Sequence, residues 1–187
     1  MRCLLCRKLS FRYVCAACER HIRPAPQIHA LQRLKLISFY DYDDIESLTL
    51  AKYYPFGSAV LRRLAKRAFL PFIADLELED GAALIGVDDR LGSYFSHTAV
   101  LAKHAAHGSK KARFGKLRAR SDEKYAGQTL AFRKAHPRKF IYRSFDEPNA
   151  ILIDDVCTTG TTLIEAAETL EQNGKTVLFA MVLTKAK

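Results

Sequence analysis

The chain has 187 residues, 49% of them hydrophobic, and a net charge of +10. That is enough apolar material for one α/β core with a small appendage, without help from disulfides. No run approaches the ~18 uncharged apolar residues of a membrane span, and Arg2, Cys3, Cys6, Arg7 and Lys8 break up any apolar leader, so no membrane insertion and a cytoplasmic location with reduced thiols are expected.

In chain order, residues 1–23 are rich in Cys and Arg and show no amphipathic period. Pro24 and Pro26 mark a boundary, so a module at 1–26 and a domain at 27–187 are expected. Lys35–Tyr42 predicts a strand and Asp44–Lys52 a short helix. After the Pro55-Phe56-Gly57 break, Ser58 can cap a helix to about Phe72, with Val60, Leu61, Leu64, Ala65 and Ala68 on one face. Ala82–Val87 predicts a short strand, Ser96–Ala106 a helix, and Lys110–Leu117 another strand. The polar, basic stretch Arg118–Arg138 reads as a long loop or flexible hairpin. Lys139–Tyr142 and Ala150–Ile153 predict strands, Thr162–Gln172 a helix ended by Asn173-Gly174, and Thr176–Leu183 a buried strand. Strands alternating with helices predict a mostly parallel sheet with helices on both faces.

The charge is uneven: residues 1–35 carry a net +7 and residues 103–143 a net +11. Such blocks suit a polyanion, either nucleic acid or a polyphosphate on a small molecule, and equally suit plain solvated surface. The six histidines, His21, His29, His97, His104, His107 and His136, form no metal-ligand spacing and are expected at the surface or in the core.

At Ile151–Thr162 an apolar run ends in Asp154-Asp155, followed by Val156-Cys157-Thr158-Thr159-Gly160-Thr161-Thr162 and an amphipathic helix. Ligands in open α/β sheets bind at the carboxyl ends of strands. A helix N-terminus beyond the turn offers free N–H groups and a positive dipole end to a phosphate. Gly160 permits close backbone approach, and the four threonines add hydroxyl donors. Two carboxylates beside a phosphate make sense if they accept hydrogen bonds from a pair of sugar hydroxyls, with a divalent cation nearby. The segment resembles the phosphoribosyl-pyrophosphate (PRPP) signature of type I phosphoribosyltransferases. The resemblance implies that Asp154 and Asp155 hold the ribose 2′- and 3′-hydroxyls and that Thr158–Thr162 cradle the 5′-phosphate, with Mg²⁺ accompanying PRPP.

Cys3-x2-Cys6 and Cys15-x2-Cys18 are two knuckles eight residues apart. Four thiolates at this spacing can close a tetrahedral structural zinc site, and in so short and charged a stretch the metal would supply the folding energy. A four-cysteine module ahead of a PRPP-type domain resembles the ComF family of competence-associated phosphoribosyltransferase-like proteins. The resemblance implies a type I phosphoribosyltransferase-like sheet behind a zinc module, and a role in natural transformation, handling incoming single-stranded DNA beside other competence or recombination proteins. Segment 38–69, with Tyr40, Lys52 and Gly57, is similar to the family's first segment after the zinc module. The family's pyrophosphate loop falls at Ser93-Tyr94-Phe95-Ser96-His97, where only Phe95 agrees, so Arg90 is the candidate pyrophosphate contact. Nucleic-acid candidates are Lys110, Lys111, Arg113, Lys116, Arg118, Arg120, Arg133, Lys134, Arg138 and Lys139, with Phe11, Tyr13 or Tyr125 able to stack on bases. The alternatives are an active phosphoribosyltransferase with an unknown acceptor base, a PRPP sensor without turnover, and a nucleic-acid binder that has lost the chemistry.

Overall fold

The computed structural model describes residues 1–87, 94–120 and 139–186. Strands β1 (Gln27–Leu31), β2 (Leu34–Tyr40), β3 (Ala82–Gly86) and β4 (Lys110–Arg113) lie in the first part of the chain. They are followed by β5 (Leu117–Ala119), β6 (Phe140–Tyr142), β7 (Asn149–Cys157) and β8 (Thr176–Lys185). Six strands form one sheet in the order β1-β2-β8-β7-β3-β4, and β5 pairs with β6 in a separate ribbon. β1 is antiparallel to β2, and the other pairings in the large sheet are parallel. The continuous apolar runs Ala82–Ile85 and Ala150–Ile153 are buried on both faces, as central parallel strands require.

Helices cover both faces. Helices α2 (Tyr42–Thr49), α3 (Gly57–Asp75) and α4 (His97–Ala105) pack on one, where Ile45, Leu61, Phe69 and Leu101 meet Phe39, Ile151, Ile153 and Met181. Helix α5 (Thr161–Gln172) covers the other, where Leu163, Ala166 and Leu170 meet Leu36, Leu152 and Val182. The N-terminal cysteine segment, with the short helix α1 (Ala16–His21), docks against α3: Val14 and Ile22 enter the first core. The fold is thus α/β, mostly parallel and helix-flanked, with a four-cysteine cluster at its N-terminus.

Several elements differ from the sequence expectations. The residues after Pro26 are a strand, β1, which closes a hairpin onto β2 through Gln32 at φ 52. α1 lies in a stretch where no period predicts it. The Lys110–Leu117 strand divides at Gly115, φ 63, into β4 and β5, which join different sheets. α3 starts one residue before Ser58, and no side chain caps it. β7 does not stop at Ile153. It continues through the two acids to Cys157, paired with β8 as far as Cys157↔Lys185, because the neighbouring strand supplies hydrogen bonds that local sequence does not reveal.

Candidate functional site

The chain reverses its direction of travel across the sheet between β3 and β7. From β3 it passes through α4 to β4 on one side, and from β7 through α5 to β8 on the other. The crevice at such a switch point, at the carboxyl ends of the strands, is where open α/β sheets hold ligands. Asp154 and Asp155 occupy it. Strand alternation puts Asp155 on the face of Ile151 and Ile153, beneath α3 and α4. Its side chain is 4% exposed, against 18% for Asp154. Asp154 Oδ1 accepts the backbone N–H of Asp155 at 2.8 Å, which fixes one carboxylate against the other.

Two side chains from distant segments converge on this pair. Lys52 lies in the 3-10 turn Leu50–Tyr53, and its Nζ donates to Asp155 Oδ2 at 2.6 Å. That turn is tightly built. Tyr54 N–H bonds the Ala51 carbonyl, Gly57 N–H bonds the Tyr54 carbonyl, and a Cβ at Gly57 would fall on the Ala51 carbonyl itself. His97 opens α4. Its Nε2 lies 3.7 Å from Asp155 Oδ1 and 3.8 Å from Asp154 Oδ1. Gly86 brings α4 this close, since a Cβ there would meet Thr98 Oγ1 at 2.7 Å, and Ser96 caps the helix by accepting from Ala99 N–H at 3.1 Å.

The environment splits the two acids. Burial, with the neighbouring Asp155 charge added, pushes the Asp154 carboxyl well above the usual range. Burial would raise Asp155 too, but His97 and Lys52 outweigh it and hold Asp155 below its ordinary value. Burial likewise works against the Lys52 ammonium, and the Asp155 charge more than offsets it, so Lys52 stays charged.

Beyond the acids the backbone turns through Thr158 and Thr159 into α5. Gly160 is left-handed, φ 77, and no side chain caps the helix. A Cβ at Gly160 would lie 2.6 Å from Leu31 Cδ1, so another residue there would push the Leu31 side chain aside and strain the left-handed backbone. Thr159 and Thr161 hydroxyls meet at 3.0 Å. The side of the loop away from Leu31 therefore presents uncapped helix amides and threonine hydroxyls, an arrangement suited to an anion. Cys157 is buried, its thiol pushed up to about 11 by burial, and behaves as an inert core residue.

The structure places Asp154, Asp155, Val156 and Cys157 in the last residues of β7 and Thr158–Thr162 in the turn and first residues of α5. Arg90, Arg133, Lys134 and Arg138, with Tyr125, lie outside the described residues. Of the other basic candidates, Lys110 is 7% exposed and donates to the Leu76 carbonyl at 2.7 Å. Arg113 is held on Glu147, with Nη2 at 2.5 Å from Oε1, and Lys116 donates to the Ser144 carbonyl at 2.6 Å. Lys111, Arg118, Arg120 and Lys139 are exposed. Sequence reasoning assigned no chemistry to His97, which the fold brings to the acids from 57 positions away in the chain, and no role to Lys52. The available signal was that Lys52 is the one cation between residues 36 and 61, an otherwise acidic stretch.

A second cluster lies at the N-terminus. The sulfurs of Cys3, Cys6, Cys15 and Cys18 all fall within 4.8 Å of one another, with Cys6 and Cys15 at 3.7 Å. A tetrahedral zinc with bonds of about 2.3 Å needs sulfurs about 3.8 Å apart, so the cage is of the right size. Backbone N–H groups of Cys15 and Cys18 point at the sulfurs of Cys3 and Cys15, at 3.3 and 3.5 Å, as they do toward metal-bound thiolates. Burial opposes the Cys3 thiolate, but the backbone N–H groups of Cys15, Cys6 and Leu5 bring it down to about 6, whereas burial and the other sulfurs push Cys18 up to about 12. Four cysteines sharing one cage resist simultaneous ionisation until a cation joins them. Such a centre, closed by four protein ligands, is structural.

No family model matches this chain, and no curated protein does. Among solved structures, the chain is similar to orotate phosphoribosyltransferase from Aeropyrum pernix, at 21% identity over 88% of this chain and 75% of that one, with a TM-score of 0.41. It is also similar to a phosphoribosyltransferase from Corynebacterium diphtheriae, at 15% identity over 76% and 80% of the two chains, TM-score 0.39. A third is orotate phosphoribosyltransferase of Mycobacterium tuberculosis H37Rv, at 15% identity over 89% and 91%, TM-score 0.39.

Proposed function

We propose that the crevice at the end of β7 binds PRPP and that the chain works as a phosphoribosyltransferase-like PRPP-binding protein. One observation carries this reading: a fixed pair of carboxylates stands beside the uncapped N-terminus of α5 at the switch point of a parallel sheet. Carboxylates suit a vicinal pair of hydroxyl donors, and helix amides suit a phosphate. A sugar phosphate offers both. On this reading Thr158–Thr162 hold the 5′-phosphate, Asp154 and Asp155 hold the 2′- and 3′-hydroxyls, and Mg²⁺ accompanies the pyrophosphate. If turnover occurs, C1–pyrophosphate cleavage relies on positioning and electrostatics.

The role with single-stranded DNA in natural transformation, implied by the resemblance to the ComF family, belongs to this proposal. Its support is the exposed cations Lys111, Arg118, Arg120 and Lys139, and the half-exposed ring of Phe114.

The test is calorimetric titration of zinc-loaded protein with PRPP and Mg²⁺. Saturable binding is expected, weakened at least about tenfold in D154A by loss of charge-assisted hydrogen bonds, and absence of binding at millimolar PRPP refutes the reading. Single-stranded DNA in the same cell should bind at low salt, more weakly as salt rises and indifferently to D154A; no binding at low salt removes the DNA role. Pyrophosphate release with a panel of bases then separates enzyme from sensor.

A further inference from the structure

Two adjacent carboxylates in a buried crevice need a cation. Besides the His97 ring, which when protonated puts a charge 3.7 Å from Asp155 Oδ1, the described residues offer two ways to supply one. His97, Asp154 and Asp155 place three ligand atoms within 4.8 Å of one another, as a metal centre would. Lys52 supplies an ammonium instead, 2.6 Å from Asp155 Oδ2, with its side chain only 20% exposed.

The geometry separates the two. A divalent ion with bonds of about 2.1 Å holds neighbouring oxygens or nitrogens about 3 Å apart. The His97 contacts, at 3.7 and 3.8 Å, are wider than that and wider than a hydrogen bond. The Lys52 contact is a short charge-assisted hydrogen bond. Its reach is set by a turn with little freedom, since the Ala51 and Tyr54 carbonyls and Gly57 lock residues 51–57. A metal seated on Asp155 would have to share the carboxylate with a fixed ammonium. As it stands, the acid pair is drawn in around the ammonium and not around a divalent ion.

We propose that Lys52 is the resident cation of the acid pair, a positioning residue that holds Asp155 for the ribose hydroxyls and replaces a protein-bound metal. The proposal rests on the reading of this crevice as a sugar-phosphate site. It assigns the two oxygens of Asp155 different partners: Oδ2 takes Lys52, and Oδ1 remains for a ligand hydroxyl. Any divalent ion then arrives on the pyrophosphate and leaves with it.

The experiment uses the zinc-loaded full chain and two probes, Mn²⁺ alone followed by electron paramagnetic resonance, and PRPP followed by calorimetry. Wild type should show no Mn²⁺ site at sub-millimolar concentration without PRPP. K52M should bind PRPP at least about tenfold more weakly, because Asp155 loses its charged partner, and should gain a Mn²⁺ site that vanishes when D155N is added. Added Mn²⁺ should restore PRPP binding to K52M, an effect that a purely structural lysine would not produce. A Mn²⁺ site in wild type that D155N abolishes overturns the proposal, as does K52M with unchanged PRPP affinity. If K52M does not fold, the wild-type and D155N Mn²⁺ titrations still decide. If wild type shows no Mn²⁺ site, as expected, but binds no PRPP, the functional reading fails while the assignment of Lys52 stands.

Discussion

Asp154 and Asp155 are neighbours in sequence whose carboxyls are shifted in opposite directions. Asp155 has a depressed value, so its stabilisation is present above the ordinary carboxylate range and is lost as pH falls through the folded value. Asp154 has a raised value, so its ionisation removes stability as pH climbs from the ordinary carboxylate range through the folded value. The two isosteric substitutions should therefore diverge. D154N should be at least as stable as wild type at neutral pH, with a flatter stability profile above the carboxylate range, and should bind PRPP poorly. D155N should lose about 3 kcal/mol, the cost of stranding a buried ammonium. Chemical denaturation between acid and neutral pH measures both, and a D154N protein less stable than D155N at neutral pH would contradict the split. The acids themselves are legible in sequence because strand end, turn and helix are local. Their partners are not, because Lys52 and His97 reach them only through the packing of α3 and α4 on the sheet.

At the level of elements, the Thr158–Thr162 turn depends on a strand that sequence does not announce. β1 has no Asn-Gly or Gly-containing turn signal, only Gln32 at φ 52, and its alternation is weak because Ile28 faces solvent at 67% exposure. Yet β1 supplies Leu31, which fills the space a side chain at Gly160 would need. The predicted boundaries of β7 and β8 are short for a related reason: each continues because the other is there to pair with it. G160A should then cost about 1–2 kcal/mol for the left-handed backbone alone, with a further loss from overlap with Leu31. It should also abolish phosphate-ligand binding, because relief of the overlap moves the amides of α5. Calorimetric unfolding and PRPP titration of the one variant read both effects. A G160A protein with wild-type melting and wild-type PRPP affinity would remove the turn from the site.

At the scale of the whole molecule, the cysteine segment is a wall of the main core and not an appendage on a tether. Val14 and Ile22 are 5% exposed and share a core with α3, α4 and the centre of the sheet. Ala25 N–H bonds the Phe39 carbonyl at 2.7 Å, and Glu19 takes Arg63 and Arg67 of α3. Tyr13 stacks on Phe56 at 5.0 Å, and Phe56 stacks on Tyr54 at 5.4 Å, within the same segment 50–57 that carries Lys52. The cage that orders the cysteines and the turn that holds Asp155 are thus two ends of one packed unit. If zinc fills the cage, removing it should expose Val14 and Ile22, a loss of about 3–5 kcal/mol by burial, which in a chain of this size lowers the melting temperature by roughly 10 °C. Because Tyr13 leaves Phe56 at the same time, PRPP affinity should fall with zinc occupancy. Metal analysis showing one zinc per chain, melting curves with and without chelator, and PRPP titration of both forms make the measurement. An unchanged melting temperature after complete zinc removal would place the cysteine segment outside the cooperative core. A lowered melting temperature with unchanged PRPP affinity would show that the segment 50–57 holds its shape without Tyr13.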